Sequence, residues 1–187
     1  MDGRLDGLVV TSRRILCVLN AKAASTSILW WLATLVGEDP ESMFTSRDPE
    51  VTRELTVHDR GLWRNLVRIS DLSGRELAHV LADQEWMRFT VVRHPVTRLW
   101  SAWQSKLLLR EPFFVRRYVG EPWFPRVPNS LKEVGEDFRT FVAALSNDRT
   151  LLLANPHWSP QHLRLELGVF PYSHVGKVEQ LARTRQL

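Results

Sequence analysis

Lys22, Ser25, Thr26 and Ser27 fall within one short stretch, AKAASTS. It lies between an apolar run that stops at Asn20 and an apolar pattern that resumes at Ile28. A single ammonium and three hydroxyls on a turn of small residues suit an anion. Ala21, Ala23 and Ala24 let backbone approach a ligand, and a helix starting after the turn adds unpaired N–H groups and partial positive charge. The stretch reads as a cradle for a phosphate-like group. It is not a Walker A loop, because it has no glycine and its lysine precedes the hydroxyls by three residues. The competing reading is a surface lysine followed by a serine N-cap.

A second stretch, FTVVRHPVTRLWSAWQSKL, places Arg93 at the end of an apolar run and Ser101 about two helical turns further on. An arginine supplies paired donors and the serine one more, so a second phosphate fits here. A structural arginine and an ordinary helix serine are the alternative for either residue alone.

These residues need elements to hold them. Residues 15–19 are continuously apolar, as in a buried strand of a sheet covered on both faces. Ile28, Leu29, Trp31, Leu32, Leu35 and Val36 then share a helical face, with Gly37 as a stop signal and Trp30 turned away. Asp59 is a candidate N-cap for a helix carrying Leu62, Trp63, Leu66 and Val67. Ser73 and Glu76 form a capping box, with Leu72 and Leu77 as staple, for a helix running to about Asp83. Met87 to Arg93 reads as a second buried strand. Pro95 suits the first position of a helix whose face carries Val96, Leu99, Trp100, Trp103 and Leu107. Residues 111–130 read as a long proline- and aromatic-rich loop, in which Trp123 and Phe124 pack on their own domain. A further helix carries Phe138, Phe141, Val142 and Leu145, and the last part is mostly loop with a strand near Tyr172–Val175. Alternating strands and helices predict one α/β domain over 1–187 with a three-layer α/β/α architecture and a mostly parallel central sheet.

Together the two stretches resemble the sulfotransferases that use 3'-phosphoadenosine 5'-phosphosulfate (PAPS), above all the carbohydrate sulfotransferase group and its bacterial relatives. That group's 5'-phosphosulfate loop has the form P-K-x-x-[CS]-T-[SN], read here as AKAASTS with Ala21 for proline. Its 3'-phosphate motif, V-R-[DEN]-P-x-x-R-L-x-S-A-[YW], is read here as VRHPVTRLWSAW with His94 for the acidic or amide residue. PHWSPQ (156–161) and YSHVGKVEQL (172–181) are similar to two later segments in family order. The resemblance implies a P-loop-like fold and sulfuryl transfer from PAPS to a hydroxyl or amine. It implies that Lys22, Ala23, Ala24, Ser25, Thr26 and Ser27 contact the 5' side of PAPS and that Arg93 and Ser101 contact the 3'-phosphate. Arg98 matches the second arginine of the motif, structural or near the acceptor. The loops 111–130 and 155–162 fall on the acceptor side.

Sulfuryl transfer, like phosphoryl transfer, is an in-line displacement that depends on positioning and charge stabilisation. Lys22 is the residue to stabilise charge growing on the leaving phosphate. His58 is the first candidate for the base that takes the acceptor proton, because a neutral imidazole is expected just before Asp59. A loop histidine bonded to backbone is the equal alternative. His157 is a candidate to line the acceptor side, against a loop histidine packed on Trp158. His79 reads as exposed, and His94 as a local turn residue. Lys177 and Glu179 read as structural. The scheme needs no metal, and no obvious carboxylate cluster is present. Two alternatives remain at this level: a sulfotransferase-like protein that binds an anion without catalysis, and an ATP-dependent kinase.

Bulk properties agree with one enzyme domain. The chain has 187 residues, 44% of them hydrophobic, and a formal net charge of +4, enough for a real core. The modest positive balance suits an anionic ligand, and no block of like charges marks a nucleic-acid arm. No apolar run approaches the roughly 20 residues of a membrane span, and the N-terminus lacks a signal-peptide layout. The one cysteine, Cys17, lies in an apolar run, which predicts a buried thiol and a reducing cytoplasmic location. The acceptor is expected to be a carbohydrate or small metabolite. The chain ends soon after GKVEQL, where relatives often continue, so the acceptor side is expected to be incomplete or completed by a partner subunit.

Overall fold

The computed structural model describes residues 5–39, 56–65 and 67–180. The polar stretch 40–55 and Leu66 lie outside these residues. The chain divides into two compact units, Met1–Val92 with Leu165–Leu187, and Arg93–Arg164.

The first unit holds a five-stranded sheet in the order β3-β1-β2-β4-β5. The strands are β1 (Gly7–Val10), β2 (Ile15–Val18), β3 (Val67–Arg68), β4 (Met87–Val92) and β5 (His174–Lys177). Parallel pairing joins β2 to β4 and β4 to β5, whereas β1 is antiparallel to both β2 and β3. The sheet is therefore mixed, and the expected mostly parallel sheet is corrected. The cause is a hairpin that precedes β2. A 3₁₀ turn over Thr11–Arg13 and left-handed Arg14 (φ 50°) reverse the chain, and the Arg14 N–H closes on the Thr11 carbonyl at 3.2 Å.

Helices cover both faces of this sheet. On one face Leu8, Val10, Ile15, Cys17 and Phe89 pack with Ile28, Leu29, Leu32 and Ala33 of α1 (Ser25–Leu35). The alternate strand residues Val9, Leu16 and Val18 pack on the other with Val80 of α2 (Gly74–Ala82), Trp86, Leu165 and Phe170. Leu29 and Leu32 are wholly buried, worth about 1.5–3 kcal/mol each. The chain leaves α1 through Gly37 at φ 73°, with the Glu38 N–H reaching the Ala33 carbonyl at 2.9 Å. This is a glycine stop of the expected kind. The α1 stripe differs in one respect: Trp30 packs on the core, and Trp31 is 45% exposed with its ring edge to Phe89.

The capping box of α2 forms as expected. Glu76 N–H bonds to Ser73 Oγ at 3.3 Å, and Ser73 N–H bonds to the Glu76 carboxylate at 2.8 Å. Hydrogen bonding to the Glu76 carboxyl from the Ser73 side chain, and secondarily from its backbone N–H, holds it below the usual range. The helix expected after Asp59 does not form. Asp59 instead accepts the Gly61 N–H at 3.0 Å and starts a 3₁₀ turn, Arg60–Leu62. Trp63 then donates to the Val57 carbonyl, and Val67 enters β3.

The second unit is helical. It contains α3 (Pro95–Trp103), continuing as a π-helical turn over Gln104–Leu108, then α4 (Pro112–Tyr118), α5 (Leu131–Asn147), α6 (Arg149–Leu153) and α7 (Gln161–Arg164). Its core joins Trp103, Leu107, Phe114, Tyr118, Trp123, Phe141, Leu145 and Trp158. Trp123 and Phe124 pack into this core, as expected. The loop expected over 111–130 is corrected in part. Pro112 sits at the first position of α4, where its missing N–H costs nothing, and Phe114 and Tyr118 anchor the helix inward. Val96, expected on the apolar face of α3, is 62% exposed.

Candidate active site

In the first unit the turn after β2 is built from backbone that few residues adopt. Asn20 is buried and its amide donates to the Val91 carbonyl at 3.1 Å, fixing the start of the turn to β4. Lys22 and Ala24 both take left-handed conformations, at φ 66° and 60°. Ala23 between them is wholly buried, so only a small side chain fits there.

Ala24 is the N-cap of α1 and offers no side-chain oxygen, and the first turn carries no acidic residue. The first helical bond runs from the Ile28 N–H to the Ala24 carbonyl at 3.0 Å. The N–H groups of Ser25, Thr26 and Ser27 lie ahead of that bond and have no intrahelical acceptor. An uncapped helix start with partial positive charge fits an anionic group.

Beside this turn, Thr26 Oγ1 and His58 Nε2 are 2.8 Å apart. Residues that are 32 positions apart in the sequence thus meet at the start of α1. The sequence placed Thr26 in the turn and His58 as a base without joining them.

The second unit begins at Arg93, directly after the last residue of β4. Its N–H donates to Gln161 Oε1 at 3.0 Å, and Gln161 Nε2 donates to its carbonyl at 2.8 Å. His94 is the N-cap of α3, with its carbonyl accepting the Arg98 N–H at 2.9 Å, and Pro95 is at the first helical position. Ser101 sits in the last turns of α3, half-buried.

Arg98 is 4% exposed and donates to the Ser159 carbonyl at 2.9 Å and the Pro156 carbonyl at 2.6 Å. Burial, and secondarily the nearby charge of Arg164, lowers its pKa to about 10. It stays protonated at neutral pH and ties α3 to the 156–159 segment.

His157 lies in that segment. Asn155 Oδ1 takes the His157 backbone N–H at 3.0 Å and meets its Nδ1 at 2.7 Å. Since that oxygen only accepts, Nδ1 carries the proton and the lone pair of the neutral ring is on Nε2. The ring edge packs on Phe114, with ring centres 5.6 Å apart. His79 is exposed as expected, 3.8 Å from Asp83.

Gln161, Asn155 and Asn20 are the positioning residues that sequence reasoning missed. The only sequence signal for Gln161 and Asn155 was their place in and beside PHWSPQ. For Asn20 it was the abrupt end of an apolar run.

The Sulfotransferase family model matches residues 9–186. The chain belongs to the sulfotransferase family. A search of curated proteins and one of solved structures found no significant match. Membership makes this sulfotransferase a transferase of sulfuryl groups in general terms, and the family generally draws those groups from PAPS. No described helix is long and apolar enough to cross a membrane.

Proposed function

We propose that the protein transfers a sulfuryl group from PAPS to a hydroxyl of a carbohydrate or small metabolite. The observation that carries this reading is the uncapped start of α1 behind left-handed Lys22 and Ala24, with His58 bonded to Thr26 in its first turn. PAPS supplies the sulfuryl group and departs as the bisphosphate.

Lys22 and the N–H groups of Ser25, Thr26 and Ser27 stabilise charge that grows on the leaving 5'-phosphate, more in the transition state than before it. Arg93 and Ser101 take the 3'-phosphate, on the resemblance of VRHPVTRLWSAW to that motif. His58 Nε2 takes the acceptor proton as the acceptor oxygen bonds to sulfur and the sulfur–oxygen bond to the leaving phosphate breaks. Thr26 holds the imidazole in place until then. His157 Nε2, with its tautomer fixed by Asn155, accepts a hydrogen bond from an acceptor hydroxyl. Arg98 holds the segment that carries His157.

Thermal shift separates this reading from its rivals. PAP, the desulfated product, is expected to raise Tm without magnesium, and ATP with magnesium is not. Labelled sulfate should then move from PAPS to a sugar or metabolite pool. Stabilisation by ATP with magnesium alone would replace the reading with a kinase, and PAP binding without any transfer would leave a silent binding protein.

A further inference from the structure

We propose that Gln161 is a positioning residue for Arg93 and that it sets the protein's preference for a 3'-phosphorylated nucleotide. The inference rests on the assignment of Arg93 to the 3'-phosphate. The β4 ladder ends where Val92 pairs with Lys177, so Arg93 lies one residue past the last rung. Its backbone N–H and carbonyl still need partners. The Gln161 side chain supplies both, accepting from the N–H at 3.0 Å and donating to the carbonyl at 2.8 Å.

A planar carboxamide is the side chain that offers a donor and an acceptor in the manner of a peptide group. Gln161 thus acts as one extra rung, fixing the Arg93 backbone on both sides of its Cα. Glutamate keeps the length and the acceptor but sets a carboxylate against a carbonyl. Alanine removes both bonds. Gln161 is also the first residue of α7, directly after the segment whose Pro156 and Ser159 carbonyls hold Arg98. Both arginines of VRHPVTRL are therefore tied to one stretch, PHWSPQ: Arg93 through its backbone and Arg98 through its guanidinium. That gives a physical reason for the two motifs to occur together.

The test compares binding of PAP and of AMP, which lacks the 3'-phosphate, by titration calorimetry. The proteins are the wild type, Arg93→Ala, Gln161→Ala and Gln161→Glu, each checked by circular dichroism. Both Gln161 variants should lose on the order of tenfold in PAP affinity, Gln161→Ala through two lost hydrogen bonds and Gln161→Glu through one lost bond turned to repulsion, with AMP affinity unchanged. A purely structural role would weaken both nucleotides together. If Gln161→Glu folds and binds PAP as the wild type does, or weakens PAP and AMP alike, the proposal fails. Loss of PAP preference in Arg93→Ala would then leave the donor assignment standing. If Arg93→Ala also keeps its preference for PAP over AMP, the assignment and the proposal fail together. Gln161→Glu serves as the deciding variant should Gln161→Ala not fold.

Discussion

Ala24→Gly should stabilise this protein, even though glycine frees the unfolded chain. Ala24 sits at φ 60° and ψ 24°, where an L-residue pays roughly 1–2 kcal/mol for its Cβ against the carbonyl oxygen. Glycine removes that cost and in turn loses about 0.5–1 kcal/mol through its freer unfolded chain. The net gain is about 0.5–1 kcal/mol, which for a chain of this length raises Tm by roughly 1–4 °C. Urea unfolding should show a higher midpoint with an unchanged slope. Ala24→Val tests the same conformation from the other side. A β-branched side chain is an outlier in this region, so the midpoint should fall by more than the glycine raised it. A lower midpoint for Ala24→Gly, or a neutral Ala24→Val, would refute the idea that strain is held in this turn.

Three further outcomes follow. His58→Ala should keep PAP binding and lose about 10²–10⁴-fold in transfer rate; near-normal turnover under saturating PAPS would remove His58 as the base. Ser73→Ala should cost about 1 kcal/mol by breaking the α2 capping box, read as a lower denaturation midpoint with PAP affinity unchanged. Tyr172 donates to the Leu165 carbonyl at 2.8 Å, and burial, with lesser contributions from Cys17 and Glu166, pushes its pKa above the ordinary 10.0. The folded state then holds this proton when the unfolded state has released it, so stability should fall as pH rises above about 10. Tyr172→Phe should flatten that alkaline decline while losing about 1 kcal/mol at neutral pH, and an unchanged alkaline slope would contradict the assignment.

The elements that position the two motifs were readable because each has a strong local signal. β2 is an unbroken apolar run, β4 a largely apolar one closed by Arg93 and Pro95, Ser73 and Glu76 announce α2, and Pro95 announces α3. What escaped the sequence depended on distant partners. β1 is only GLVV, and its link to β2 turns on a left-handed arginine rather than a glycine. The helical spacing of Leu62, Trp63 and Val67 was overridden by tertiary bonds: the Glu38 carboxylate takes the Arg64 and Asn65 N–H groups at 2.7 and 2.6 Å, and Val67 pairs with Val9. Trp30 and Trp31 lie equally far from the centre of the buried stripe, on opposite sides, so periodicity could not rank them. α4 was hidden inside a stretch whose prolines and aromatics read as loop, although Pro112 opens a helix there.

For the candidate site, residue types and turn chemistry singled out Lys22, Thr26 and Arg93. They could not show that His58 meets Thr26, or that Gln161 grips Arg93 across 68 positions. Those are long-range contacts carried by polar side chains, which leave no periodic trace.

The division at Val92 and Leu165 has an evolutionary consequence. β4 and β5 are adjacent parallel strands, and a crossover between such strands needs only about a dozen residues. Everything beyond that minimum in Arg93–Arg164 is a cassette with its own aromatic core. Outside Arg93, Arg98, Ser101 and the PHWSPQ stretch, its surface can change without touching the paired residues of the strands that flank it. Substitutions on that remaining surface would then leave the hairpin, β2 and the strained turn as they are.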